Sequence, residues 1–476
     1  MVVQHNMQAA NANRMLNVTT SAQSKSTEKL SSGYKINRAA DDAAGLTISE
    51  KMRKQIKGLD RASTNAEDGV SAVQTAEGAL TEVHSMLQRM NELATQSANG
   101  TNSNTDRKAI QDEIDQLTTE IDRVSETTKF NETYLLKGDG AEKEHNVNAH
   151  DAGLDGVTLT DKGDKVEVTL KELKAGDKIS IAGKNYTIGG TSDDVDTLLK
   201  AANITGVDGD KVTINGTEYT YYENAVGGDA LTNKGFYATQ PKAADKASAK
   251  PDYADLDAIK NAKNSTITAG GKSVTTMGNV IDGVDDKDSS VITAKKAYML
   301  ETAEILKASG IGADKAPTAT GNDALDAATN KFSLTKGKVN YNDALSFNLH
   351  VGADADMTNK ITVNIDSMNS AGLGVKGIKA DTEQDATYAI DAIADAISTV
   401  SSQRSALGAV QNRLEHTINN LDNVVENTTS AESRIRDTDM AEEMVNYSKN
   451  NILAQAGQSM LAQANQSNQG VLSLLQ

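Results

Sequence analysis

A chain of 476 residues with a net charge of −18 has room for two to four domains, and its acidic balance argues against nucleic acid or an anionic membrane as a partner. Cysteine and tryptophan are absent and aromatics are 3% of the residues; disulfides, thiolate metal sites and cysteine nucleophiles are excluded, and aliphatic side chains must form most of the core. No apolar run reaches the roughly 18 residues of a membrane span, so no membrane insertion is expected, and the N-terminus lacks the basic and apolar regions of a cleaved secretory signal.

Residues 1–43 are polar with a sparse stripe that includes Met15, Val18 and Ala22, too narrow a face to hold a helix without a partner. Gly33 interrupts it. From Ile48 a long seam begins: Met52, Ile56, Leu59, Ala62, Ala66, Val70, Val73, Ala76, Leu80, Val83, Leu87, Met90 and Ala94 follow at gaps of three or four. No proline breaks this helix, and Gly58, Gly69 and Gly78 are tolerated inside it. At roughly 70 Å it is too long to bury its own stripe and needs a partner of similar length. Ala98-Asn-Gly-Thr-Asn-Ser reads as a C-cap at Gly100 followed by a short turn. A second helix with Ile110, Ile114, Leu117, Ile121 and Val124 on one face then folds back antiparallel.

Between 141 and 341 the character changes, with all three prolines and dense Gly, Asp and Thr. The alternation in Lys165-Val-Glu-Val-Thr-Leu and Lys178-Ile-Ser-Ile predicts strands, and Asn215-Gly216 predicts a hairpin turn. Short helices are expected at 195–202, 253–263 and 291–308, giving one or two small α+β domains inserted into a helical framework. Residues 345–352 and 360–365 predict a β-hairpin. From Ala386 the long seam returns with Ile390, Ile393, Ile397, Val400, Leu407, Val410, Leu414, Ile418, Leu421 and Val425, supplying the required partner. A last helix carries Met440, Met444, Ser448, Ile452, Ala456 and Met460, and ends in Val471-Leu-Ser-Leu-Leu. The expected fold is mainly α: a long antiparallel helical rod from the N- and C-terminal segments, a β-hairpin, and a variable α+β outer insertion. The terminal helices keep apolar faces with no partner inside the chain, a pattern suited to assembly.

Leu30-Ser-Ser-Gly, Asp41-Asp-Ala-Ala-Gly-Leu, Gly69-Val-Ser-Ala-Val-Gln-Thr-Ala-Glu-Gly-Ala-Leu, Gly408-Ala-Val-Gln-Asn-Arg-Leu-Glu-His-Thr and Arg434-Ile-Arg-Asp-Thr-Asp-Met-Ala, in this order and spacing, resemble bacterial flagellin. The resemblance covers residues 1–140 and 342–476 and implies a subunit that polymerises into the flagellar filament, secreted through the flagellum's own type III channel to an extracellular position. It implies residues 1–43 with 437–476 as an inner tube, 44–140 with 342–436 as the outer tube, and 141–341 as surface-exposed domains. The implied partners are further copies of the chain, an export chaperone, filament-cap and hook-junction proteins, and the host sensors Toll-like receptor 5 and NAIP. A hook–filament junction protein, which shares the terminal motifs, is the alternative.

By the same resemblance Arg89, Leu93 and Glu113 are candidate receptor contacts, and Leu93, one residue off the seam, is expected to point outward. Ile452, Ala456, Met460, Val471, Leu472, Leu474 and Leu475 are the candidate filament-core residues, the four at the C-terminus also being the segment NAIP reads. Other motifs are bland. Glu144-His145 and His150-Asp151 lack the spacing of a helical metal pair, Thr268-Ala-Gly-Gly-Lys-Ser lacks the first glycine of a phosphate loop, and 282–288 departs from a calcium loop. No catalytic constellation and no cofactor motif is found, so no enzyme activity is expected.

Overall fold

The computed structural model describes residues 6–321, 325 and 330–473, the side chains of 467–473 excepted. Its helices are α1 (Met7–Ser32), α2 (Ala43–Ser97), α3 (Asn104–Thr127), α4 (Ser192–Ala201), α5 (Leu256–Lys260), α6 (Ala294–Ala308), α7 (Glu383–Arg436) and α8 (Met440–Ser473). The chain divides into two compact units, one of Met1–Gln74, Phe347–Val363 and Leu407–Gln476 and one of Thr75–Ser346 and Asn364–Ala406. Both α2 and α7 therefore contribute residues to each unit.

In the first unit α1 begins where the Asn6 side chain accepts from the Ala9 N–H at 3.0 Å, and ends where Gly33 turns left-handed at φ 77°. It pairs with α8 antiparallel: Asn6 donates to the Ala464 carbonyl at 3.2 Å, Leu16 lies against Gly457, and Lys29 meets Glu443 at 3.8 Å. The two helices are tied at their bases. Lys35 N–H donates to the Arg436 carbonyl, Thr438 N–H donates to the Gly33 carbonyl, and the Arg436 guanidinium lies 4.7 Å over the Tyr34 ring. In the motif that leads into α2, Asp41 accepts from the Arg38 N–H and Asp42 accepts from the Gly45 N–H, each at 2.9 Å, so the acidic pair shapes the turn and starts the helix.

Within this unit α2 and α7 run antiparallel, with Ser49 donating to Glu432 at 2.7 Å and Ser63 to Asp422 at 3.1 Å. Strands Leu345–His350 and Lys360–Ile365 pair as expected. Ile361 of this hairpin is buried with Ala66 and Leu414, and Leu349 and Val410 pack around them. The glycines of α2 now acquire a reason. A Cβ on Gly58 would lie 2.9 Å from that of Ala353, and one on Gly69 would strike Leu349, so both mark where the hairpin rests directly on the helix. Gly78 faces open space.

In the second unit Ala76, Leu80, Val83, Leu87, Met90 and Ala94 of α2 are buried, as are Ile110, Ile114 and Ile121 of α3 and Ile393 and Val400 of α7. α2 stops at Ser97, three residues short of the expected C-cap, and Gly100 does not take a positive φ. Ser103 and Asp106 form a capping box that starts α3. The segment before α7 lies along α2 and α3: Ser97 donates to the Ala380 carbonyl, Gln111 to the Ile378 carbonyl, and the Ser370 N–H and hydroxyl to Asp122.

The insertion enters and leaves through neighbouring antiparallel strands, Asp139–Asn146 and Lys338–Asp343. Lys165–Thr169, between Lys331–Thr335 and Thr158–Asp161, sits in a four-stranded sheet; Val166, Val168, Phe332 and Leu334 share a cluster with Ile292, Tyr298 and Ile305. A ten-stranded sheet carries the rest, and Val195, Leu198, Ile214, Phe236, Ile259 and Ile267 form a second cluster. The Asn215-Gly216 turn joins Lys211–Ile214 to Thr217–Asn224, both residues at positive φ as a type I′ turn requires. Two of the expected helices are shorter than read. α5 spans only Leu256–Lys260, and Val291–Ile292 pair as a strand before Thr293 caps α6.

Candidate assembly and recognition surfaces

The sequence of α8 distributes its side chains by size. Facing α1 are small or polar residues, among them Glu443, Asn450, Ala454 and Gly457, each buried or half-buried. Glycine and alanine allow the backbones to approach, and the ion pair and backbone contacts replace an apolar seam. Most of the large apolar residues face away, with Leu461 a half-buried exception among the described side chains. Met444, Val445, Ile452 and Met460 are more than half exposed, and Met440 and Leu453 nearly so; Met7, Met15 and Val18 do the same on α1. Met444, Val445, Ser448, Lys449, Ile452 and Leu453 line one shallow groove.

Of the candidate core residues, Ile452, Ala456 and Met460 therefore stand on the exposed side of α8, with 67% of Ile452 and 64% of Met460 accessible. The side chains of Val471 and Leu472 lie outside the described residues, as do Leu474 and Leu475 entirely. Sequence reading missed Val445 and Leu453, because it followed one i,i+4 row. A helical projection of the full segment finds them on the adjoining row.

Arg89 and Glu113 meet across the antiparallel return of α3 on α2. The Arg89 guanidinium holds Glu113 Oε1 through Nε and Nη2, both at 2.9 Å, and reaches Glu92 at 3.2 Å. Both partners are about half exposed. The Glu113 hydrogen bond, and after it Glu92, holds the guanidinium proton more firmly than usual. Leu93 requires correction. It is 2% exposed and belongs to the core, not to the surface. Leu87, Met90, Leu93, Ala94 and Ser97 are all buried here, so the apolar face of α2 is wider than a two-helix seam because α3 and the 378–380 segment cover it together.

Arg107 is the residue whose role sequence reading did not find. It is 7% exposed and donates to the carbonyls of Ser97, Asn99 and Asn102, each at 2.9 Å. It caps the C-terminus of α2 and fixes the turn that returns Glu113 to Arg89. A lone arginine in the first turn after a tight connection is the available signal.

The bland motifs have structural partners. Glu144 binds Lys315 and Lys338, which hold its carboxyl down at about 2. His145 stacks on Tyr341 with centroids 4.0 Å apart, and His150 meets Asp391 at 3.0 Å. Gly270 and Gly271 form the two-residue turn between Thr266–Ala269 and Lys272–Thr276. Asp285 accepts backbone N–H groups of Gly278, Lys287 and Asp288, ordering its own loop.

Comparison with known proteins gives a consistent match. The model for the bacterial flagellin N-terminal helical region matches residues 3–141, and that for the C-terminal helical region matches residues 390–475. A flagellin of Clostridium tyrobutyricum is 39% identical over 474 residues, covering 98% of this chain and all of the relative. Flagellin C of Vibrio cholerae serotype O1 is 35% identical over 473 residues, covering 99% of each chain. Among solved structures, FliC from Burkholderia pseudomallei aligns with a TM-score of 0.26 at 18% identity over 72% of this chain and 99% of that one, a likeness too low to carry an argument.

Proposed function

The chain belongs to the bacterial flagellin family, a structural component of the flagellar filament, and from that premise we propose that it polymerises by burying the outward apolar rows of α8 and α1 against neighbouring copies. The supporting observation is that, among the described residues, Met440, Met444, Val445, Ile452, Leu453 and Met460 of α8 stay exposed although α8 packs on α1. Burying what Ile452 leaves exposed stabilises assembly by about 1–2 kcal/mol per subunit. A non-closing helical lattice repeats that gain along the filament. Residues 1–43 with 437–476 form the inner tube, 44–140 with 342–436 the outer tube, and 141–341 the solvent-facing domains. The full-length flagellin relatives favour this over the hook–filament junction reading.

The finer partners belong to the same proposal. The subunit is secreted through the type III channel with an export chaperone, and it meets hook-junction and cap proteins at the filament's two ends. The half-exposed Arg89–Glu113 pair is the candidate Toll-like receptor 5 contact, with Leu93 supporting it from below rather than touching the receptor. The C-terminal segment at Val471, Leu472, Leu474 and Leu475 is the candidate NAIP ligand. Removing residues 437–476 tests the assembly reading: negative-stain microscopy after salting-out should show filaments from the full chain and none from the truncated one. Filaments from both would overturn it.

A further inference from the structure

The second unit holds a cleft that filament assembly does not explain. It has a volume of about 420 Å³ and lies between α6, the first turns of α7 and the turns at 152–155 and 180–183. Two polar atoms of its lining side chains, Glu301 Oε2 and Gln384 Nε2, are buried without a hydrogen-bond partner among the described residues, and Glu301 as a whole is 5% exposed. Two neighbouring groups are already engaged. Lys171 pairs with Asp155 at 2.8 Å, and Tyr388 donates to Glu304 at 2.7 Å. Burial pushes the Glu301 carboxyl up to about 7, against the attraction of Lys171. An unpaired buried carboxyl and an unpaired amide are costly to retain and are complementary to a ligand carrying one donor cation and one acceptor. A divalent metal fits less well, since among the described residues no three His, Asp or Glu gather to hold one.

We propose that this cleft binds a small zwitterion of amino-acid size, its ammonium group on Glu301 and an oxygen acceptor on the Gln384 amide. The ammonium would form a charge-assisted hydrogen bond with the buried Glu301 carboxylate at the floor of a cleft whose rim is open to solvent. The rest of the charged lining is mixed, with Asp155 and Glu383 beside Lys171 and Lys178, which suits a ligand that carries both signs.

Isothermal titration calorimetry on the full-length chain, at salt too low for polymerisation, tests this with L-alanine and L-serine as probes. Methylammonium and acetate serve as half-ligands, and Glu301→Gln and Gln384→Leu as variants. The expected result is saturable binding of at least one amino acid, with either half-ligand weaker by about tenfold or more and the same loss in Glu301→Gln. If Glu301→Gln fails to give the wild-type circular dichroism spectrum, the loss in Gln384→Leu decides by the same criterion. Absence of binding by both amino acids, equal binding by a half-ligand, or unchanged binding in the folded variants overturns the proposal.

Discussion

Replacing Arg107 by alanine should loosen the end of α2 and the turn that follows. The wild-type guanidinium satisfies three carbonyls, those of Ser97, Asn99 and Asn102. Asn99 is exposed and Asn102 half-buried, so their carbonyls regain water, whereas Ser97 is fully buried and its carbonyl does not. The stranded Ser97 carbonyl costs about 1–3 kcal/mol, and the two wetter bonds add about 1 kcal/mol together. A total of about 3 kcal/mol corresponds to roughly 100-fold in a local opening equilibrium. Hydrogen exchange followed by mass spectrometry on the full-length chain reads this directly, and amides of 94–110 should exchange about 100-fold faster in Arg107→Ala. Arg107→Lys keeps the charge but not the fork, and should recover less than half of the protection. Protection within about threefold of wild type in the alanine variant would refute the capping role.

Leu93→Ala should destabilise the second unit by about 2–5 kcal/mol through the cavity it leaves, while Arg89→Ala should change melting by less than about 1 kcal/mol yet weaken receptor binding by about 1–3 kcal/mol in surface plasmon resonance. A wild-type melt for Leu93→Ala would contradict its place in the core. Gly69→Ala should cost about 1–3 kcal/mol because Leu349 must move, whereas Gly78→Ala, with open space around it, should gain about 1 kcal/mol in the same thermal melts. Glu301 makes stability depend on pH. Its folded-state value of about 7 lies above an unfolded value near 4.5, so its contribution is fully present below about 4.5 and is lost as pH rises through 7. Melting from pH 5 to 8 should show about 3 kcal/mol of this loss in wild type and none of it in Glu301→Gln.

The long helices were legible because their stripes repeat for many turns, as Ala62 to Ala94 and Ile393 to Leu421 show. The Asn215-Gly216 turn was legible for a local reason, since few residue pairs accept two positive φ angles. What spans sequence was not. Lys165–Thr169 pairs with Lys331–Thr335, and nothing in either strand names a partner more than 150 residues away. Leu93 was misplaced because one residue off a two-helix seam points outward only until a third segment covers it. The C-cap at Gly100 failed for the opposite reason, a side-chain cap from Arg107 replacing the glycine cap that local sequence suggested. Turn-making accounts for the acidic and glycine-rich motifs at Gly270, Gly271 and Asp285.

The most direct test of assembly through α8 is sedimentation of salted-out polymer from wild type and Ile452→Asp. Ile452 is 67% exposed, so aspartate is tolerated in the subunit, and circular dichroism should be unchanged. In a buried subunit contact the same carboxylate would be desolvated without a partner, at a cost of several kcal/mol per subunit. Pelletable filaments from wild type and none from the variant at the same salt are the predicted result. Filaments from the variant in wild-type yield would contradict burial of this face in the polymer.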